Sequence, residues 1–132
     1  GDVSAVVAGI DAAVSAGFSQ IKLNCVIQES IEEENAREVA AFAADRGLEV
    51  RLIRQMNAAE GHFWPVIGGQ GGHCQSCNRL RLTSNGYVYP CLFSDNSFSV
   101  REMGASQALE AAVNGKPRNG EKSETRFYAI GG

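Results

Sequence analysis

The sequence predicts an α/β fold: a slice of a parallel sheet or barrel over residues 1–56, followed by a region built around a cysteine-bracketed β-hairpin. Three observations predict it. Helical and strand periodicities alternate up to residue 56, glycines crowd residues 57–73, and an Asn-Gly pair sits between two alternating runs flanked by cysteines.

From Val3 to Val14 the apolar residues fall at Val3, Val6, Val7, Ile10, Ala13 and Val14, the spacing of one helix face, and Gly17 follows as a stop. Ile21, Leu23, Cys25 and Ile27 then alternate with Lys22, Asn24, Val26 and Gln28, the two-residue period of a strand with one apolar and one more polar face. Ser30 and Glu33 make a capping box, so a helix is predicted over 31–46, burying Ile31, Val39, Phe42 and Ala43 and ending at Gly47. Residues 48–54 read as a second strand. Strand, helix and strand with short connections form a βαβ unit, whose strands pair in parallel through a right-handed crossover. Two parallel strands leave faces and edges open, so something further must cover them.

Gly61, Gly68, Gly69, Gly71 and Gly72 mark a stretch that suits close approach to a ligand or serves as a linker. Arg79-Leu80-Arg81-Leu82-Thr83, then Ser84-Asn85-Gly86, then Tyr87-Val88-Tyr89 carry the Asn-Gly hairpin signal. A last helix is predicted from Val100 to Val113, opened by a second capping box, Ser99 with Glu102, and closed by Asn114-Gly115. A polar loop, the apolar run Phe127-Tyr128-Ala129-Ile130 and a terminal Gly131-Gly132 follow. The organisation expected is a partial barrel segment at 1–56, a glycine-rich connection at 57–73 and a cysteine-bearing region at 74–132.

At 132 residues, 44% hydrophobic and 20% charged, the chain is large enough for a core of its own. Twelve Lys and Arg against fifteen Asp and Glu give a net charge of -3, so the whole-chain field offers no case for nucleic acid or an anionic membrane. Any anion site must be local. The longest purely apolar stretch, Val39 to Ala44, is far too short to span a bilayer, so a soluble, untargeted, cytoplasmic chain is expected. It opens at Gly1-Asp2 without Met and runs straight into a helical pattern, which suggests a piece of something larger.

Cys74-Gln75-Ser76-Cys77 is a CxxC, and Cys91 lies at the far end of the hairpin, which folds the chain back so that three thiolates can converge. Three chemistries compete for them. Zinc wants a fourth ligand, and His73, adjacent to Cys74, or His62 would complete a ribbon-like module for nucleic acid or phosphate ligands. An iron-sulfur cluster is usually held by four Cys, so three would leave one iron open to a ligand. A Cys74–Cys77 disulfide would need an oxidising compartment that nothing in the sequence marks. Cys25 shares the apolar parity of its strand and reads as a small core residue. Arg79 and Arg81 share one strand face, and two guanidiniums beside the cysteines make an anion clamp suited to phosphate.

The run His73 to Thr83, then Pro90-Cys91-Leu92-Phe93-Ser94-Asp95 and the terminal Ile130-Gly131-Gly132, together with Ile21-Lys22-Leu23-Asn24 and residues 50–56, resembles the GTP 3′,8-cyclases of molybdenum cofactor biosynthesis, MoaA-type radical S-adenosylmethionine (SAM) enzymes. The likeness is to their C-terminal half. It implies an incomplete (β/α) TIM-like barrel whose mouth the hairpin covers, and a C-terminal 4Fe-4S cluster on Cys74, Cys77 and Cys91 with its open iron facing GTP. It places Arg79, Leu80, Arg81 and Lys22 in the GTP site and Met56 in the SAM site, with Arg51, Gly131 and Gly132 supporting the active site. Arg51 and Met56 cannot share one face of a regular strand, so Met56 must lie past the strand end or a bulge. The family also uses a second 4Fe-4S cluster on a CxxxCxxC motif, which these residues lack. The expected partners are therefore GTP, the missing N-terminal half or another copy meeting exposed strand edges, and a homodimer in the full-length family; the chain alone is expected to be inactive.

Overall fold

The computed structural model describes residues 1–124, apart from the side chain of Ala58. Gly131, Gly132 and the apolar run at 127–130 lie outside the described residues. The chain divides into two compact units: Gly1–Ile53 with Val66–Gly69, and Arg54–Pro65 with the chain from Gln70 onward. The glycine-rich stretch is thus shared between the two.

In the first unit, helix α1 (Val3–Ser15) starts at Asp2, whose carboxylate accepts from the Ser4 N–H at 2.9 Å. Strand β1 (Lys22–Ile27), helix α2 (Glu34–Asp45) and strand β2 (Glu49–Arg54) follow. β1 and β2 are neighbours, and the Glu49 N–H donates to the Ile21 carbonyl, so the two strand starts lie together and the strands run the same way. Cys25 and Ile27 point inward with Ala36 of α2, and Val39, Val50 and Leu52 pack around them. Lys22, Asn24 and Val26 take the exposed face, as the alternation requires.

Two expectations for this unit change. The second helix begins at Glu34, not Ile31, because Glu33 is used before the helix opens: its carboxylate accepts from the N–H groups of Gln28, Glu29 and Ser30 at 2.7 to 3.1 Å. The Ser30 hydroxyl accepts from Glu32 instead of Glu33, so only the returning half of the capping box forms. The apolar residues of α1 stay largely uncovered, with Val3 and Val6 at 74% and 61% exposure. Part of the cover expected for β2 comes from Ile67, which exchanges two backbone hydrogen bonds with Leu52.

The second unit holds three short antiparallel strands in the order β3 (Arg81–Leu82), β4 (Tyr87–Tyr89) and β5 (Phe98–Ser99). Arg81 faces Tyr89 and Leu82 faces Val88; Tyr87 faces Ser99 and Val88 faces Phe98. The Asn85-Gly86 turn is closed by the Gly86 N–H to Thr83 and the Thr83 N–H to Tyr87. β5 is not apparent in the sequence, because two residues are too few to show a period. The single helix expected at 100–113 is instead two, α3 (Val100–Met103) and α4 (Ala105–Asn114). Gly104 divides them with φ +80° and ψ 156°, a backbone state that L side chains rarely adopt.

α4 lays Ala108 and Ala112, four residues apart, onto Val88, with Leu80, Phe98 and Val100 filling the margins. It covers β4 and β5 and leaves Leu82, on the edge strand, 70% exposed, where alternation alone would have buried it with Leu80. A separate cluster joins Leu92 and Phe93 to Met56, Phe63, Tyr89 and Cys91. The sheets are short and among the described residues no barrel closes.

Candidate functional site

Cys74 opens a tight helical turn, Cys74–Ser76, closed by the Cys77 N–H donating to the Cys74 carbonyl at 3.1 Å. Turn and hairpin bring Cys74, Cys77 and Cys91 to the wall of one cavity of about 340 Å³, within the size range of small-molecule sites. All three thiols are free and half-buried. The Phe93 N–H donates to the Cys91 sulfur at 3.4 Å, a contact of the kind that tunes thiolate-held clusters.

Arg79 and Arg81 reach the same cavity, while Leu80 between them packs into the core on the other side of the chain. Both arginines are thus lining residues of the cavity that the three cysteines share. Arg79 also donates to the Gln70 carbonyl at 3.4 Å, tying the glycine-rich segment to the clamp. Gly72 completes the wall: its φ is +79°, and a Cβ there would strike the Trp64 carbonyl. Only glycine fits. A neighbouring cavity of about 570 Å³ shares Gly72, His73 and Cys74 and adds Glu60 and His62.

Among the described residues, no group of three or more His, Cys, Asp or Glu closes around a single ion position. The three thiols line the wall of one cavity. Their donor set is all sulfur, which fits an iron-sulfur centre and a zinc ion alike.

The remaining candidates are distributed as follows. Lys22 opens β1 on its exposed face and pairs with Glu49 at 3.0 Å. Arg51, on β2, has a buried Nε without a hydrogen-bond partner, and its stem lies against Gly69. Both belong to the first unit. Met56 lies past the end of β2, as parity required, and packs on the Leu92 and Phe93 cluster of the second unit. Cys25, in the first unit, is 6% exposed, and its thiol is pushed up by burial and, secondarily, by the Glu33 charge.

Sequence reasoning missed Lys116, which lines the cavity from just beyond α4. A lysine after a helix stop is routine, so no sequence signal distinguished it.

One cavity is thus lined by three free cysteines and two arginines, a combination of soft thiol donors and cationic side chains. The family described as Molybdenum Cofactor Synthesis C matches residues 19–122, and the chain belongs to that family. It is similar to a GTP 3′,8-cyclase of Acidothermus cellulolyticus, 29% identical over 82% of this chain and 42% of the relative. Another from Nautilia profundicola is 27% identical over 96% of this chain and 56% of the relative, and one from Ectopseudomonas mendocina is 26% identical over 82% and 48%. The chain spans about half the length of the curated relatives it matches. The first alignment runs over 154 positions, more than the 132 residues present here, so that relative carries inserted segments which this chain lacks. No solved structure matches. Among the described residues no helix is long and apolar enough to cross a membrane.

Proposed function

We propose that this chain is the cluster- and nucleotide-binding portion of a GTP 3′,8-cyclase, the lyase that converts GTP to (8S)-3′,8-cyclo-7,8-dihydroguanosine 5′-triphosphate in molybdenum cofactor biosynthesis. The observation that carries this reading is the single cavity shared by Cys74, Cys77, Cys91, Arg79 and Arg81. Cys74, Cys77 and Cys91 would hold a 4Fe-4S cluster. When bound, that cluster would supply a Lewis-acidic iron with one position open to the substrate. Arg79 and Arg81 offer planar donor forks to an anion, which a nucleoside triphosphate provides. Leu80 contributes backbone between them while its side chain anchors the strand in the core.

Lys22 is read as a further cation of the triphosphate site, and Arg51 as a supporting cation of the active site. Met56 is assigned to the SAM site, and Gly131 and Gly132 to a tail that supports the active site. In this reading residues 1–56 belong to an incomplete (β/α) barrel, and the hairpin covers its mouth. The work is shared with a complementary half bearing the CxxxCxxC cluster, because these 132 residues contain no such motif and so would not cyclise GTP alone. Open strand edges suit pairing with that half or with another copy, and the setting is cytoplasmic.

Anaerobic reconstitution with iron and sulfide tests the proposal. About four irons per chain with broad visible absorption, lost in Cys77→Ser, are expected for such a cluster. Stoichiometric zinc in the protein as purified, with salt-sensitive binding to RNA or DNA, would overturn it in favour of a zinc module.

A further inference from the structure

We infer that Lys116 is a positioning residue for the cysteine set: its ammonium fastens the chain leaving Cys77 to the chain entering Cys91 and keeps a positive charge on the wall of their cavity. The inference rests on the cluster reading above for its electrostatic part only. Lys116 Nζ donates to the Arg79 carbonyl and to the Pro90 carbonyl, each at 2.6 Å. Arg79 is two residues beyond Cys77, and Pro90 immediately precedes Cys91. One side chain therefore spans the two stretches on which thiols from opposite ends of the hairpin must keep their spacing.

The sequence separation makes this fastening more than local. Lys116 is 37 residues from Arg79 and 26 from Pro90. It is delivered by α4, whose end is fixed by the Gly115 N–H to Ala111 and the Lys116 N–H to Val113, and whose Ala108 and Ala112 are fully buried. A rigid helix packed on β4 and β5 thus aims a cation at the base of the hairpin. β3 is only two residues long, so its own ladder cannot hold the cysteine end closed. Charge-assisted bonds to two carbonyls do that work and fix the ammonium among the cavity-lining groups. Among the described residues Lys116 has no carboxylate partner, so its charge is not neutralised beside the thiols.

The test compares Lys116→Met, which keeps the stem and loses charge and donors, with Lys116→Arg, in the full chain. In metal-free protein, amide hydrogen exchange at residues 79–82 and at Tyr89, Cys91 and Leu92 should speed by about tenfold or more in Lys116→Met, as loss of a charge-assisted bond implies, with α4 unchanged. After reconstitution, Lys116→Met should hold less iron, and any cluster formed should have a more negative reduction potential. Lys116→Arg should restore the potential by restoring the charge. Unchanged exchange in Lys116→Met would overturn the fastening, and equal potentials in all three proteins would overturn the electrostatic part. If the parent binds no iron, the cluster reading fails while the exchange result still decides whether Lys116 fastens the hairpin. If Lys116→Met does not fold, exchange in Lys116→Arg decides it: hairpin rates within twofold of the parent support the fastening by a cation, and rates raised as much as in a Lys116-independent opening, equally across α4, refute it.

Discussion

The backbone N–H of Phe93 donates to the sulfur of Cys91 at 3.4 Å, and Phe93 itself is 2% exposed. A candidate ligand atom is thereby tied to one of the most deeply buried side chains in the second unit. Core packing and site geometry are one problem here. The same ring is packed with Leu92 and bordered by Met56, Phe63 and Tyr89, so apolar contacts set where the sulfur points.

Phe93→Ala should therefore affect both stability and thiol chemistry. Truncating a buried Phe costs about 3–5 kcal/mol through lost transfer energy and the cavity left behind. Urea denaturation should show that loss, and Cys91 should alkylate faster as its sulfur is released. A Phe93→Ala protein with parental stability would mean that the ring is not a structural keystone of this cluster.

Gly72→Ala should disturb the cavity from its backbone side. The positive φ strains any L side chain, and the added methyl meets the Trp64 carbonyl, which belongs to the backbone and cannot swing aside. A destabilisation exceeding about 1 kcal/mol is expected by denaturant titration, since strain and collision add. Gly17→Ala, also at positive φ but in open space, is the control and should cost less.

Much of this was legible in the sequence, for reasons that particular residues make clear. Cys25 announced itself as core because strand parity ties it to Ile27, and both are buried against Ala36. Arg79 and Arg81 both line one cavity, although only Arg81 lies in a strand, so alternation alone does not account for Arg79. The forward half of the second capping box formed, with the Ser99 hydroxyl accepting from the Glu102 N–H at 3.3 Å. Where reading failed, long-range or competing contacts decided the outcome. Glu33 was captured by the three N–H groups preceding the helix, and Gly104 broke what periodicity joined. Lys116 was invisible because its partners lie 26 and 37 residues away.

The four cysteines should separate cleanly by reactivity in metal-free protein. Burial and the Glu33 charge keep the Cys25 thiol protonated, whereas Cys74, Cys77 and Cys91 are half-buried on a cavity wall. Three thiols should titrate quickly with a disulfide reagent and one only on unfolding. Fast modification of Cys25, located by mass spectrometry, would contradict its place in the core. Cys25→Ser should leave iron uptake unchanged while lowering stability, because it puts a hydroxyl into an apolar cluster.

Glu33 gives the chain a pH dependence whose sign can be worked out. Hydrogen bonds from the Glu29, Ser30 and Gln28 N–H groups hold its carboxyl below the usual carboxylate range, in that order of importance. A carboxyl more acidic in the folded state than in the unfolded state favours folding wherever it is ionised in both. Its contribution is therefore complete above the ordinary glutamate pKa and is lost as pH falls through that value toward the depressed one. Glu33→Gln keeps the length but removes the charge that three N–H groups share, so the variant should be less stable at neutral pH. The difference from the parent should shrink toward zero in acid, where the parent's carboxyl is protonated too. Denaturant midpoints measured across pH 3 to 7 for both proteins would show this convergence, about where carboxylates titrate. A gap that stays constant with pH would mean that the side chain acts by shape alone, and a gap that widens in acid would mean that the ionised form opposes the fold.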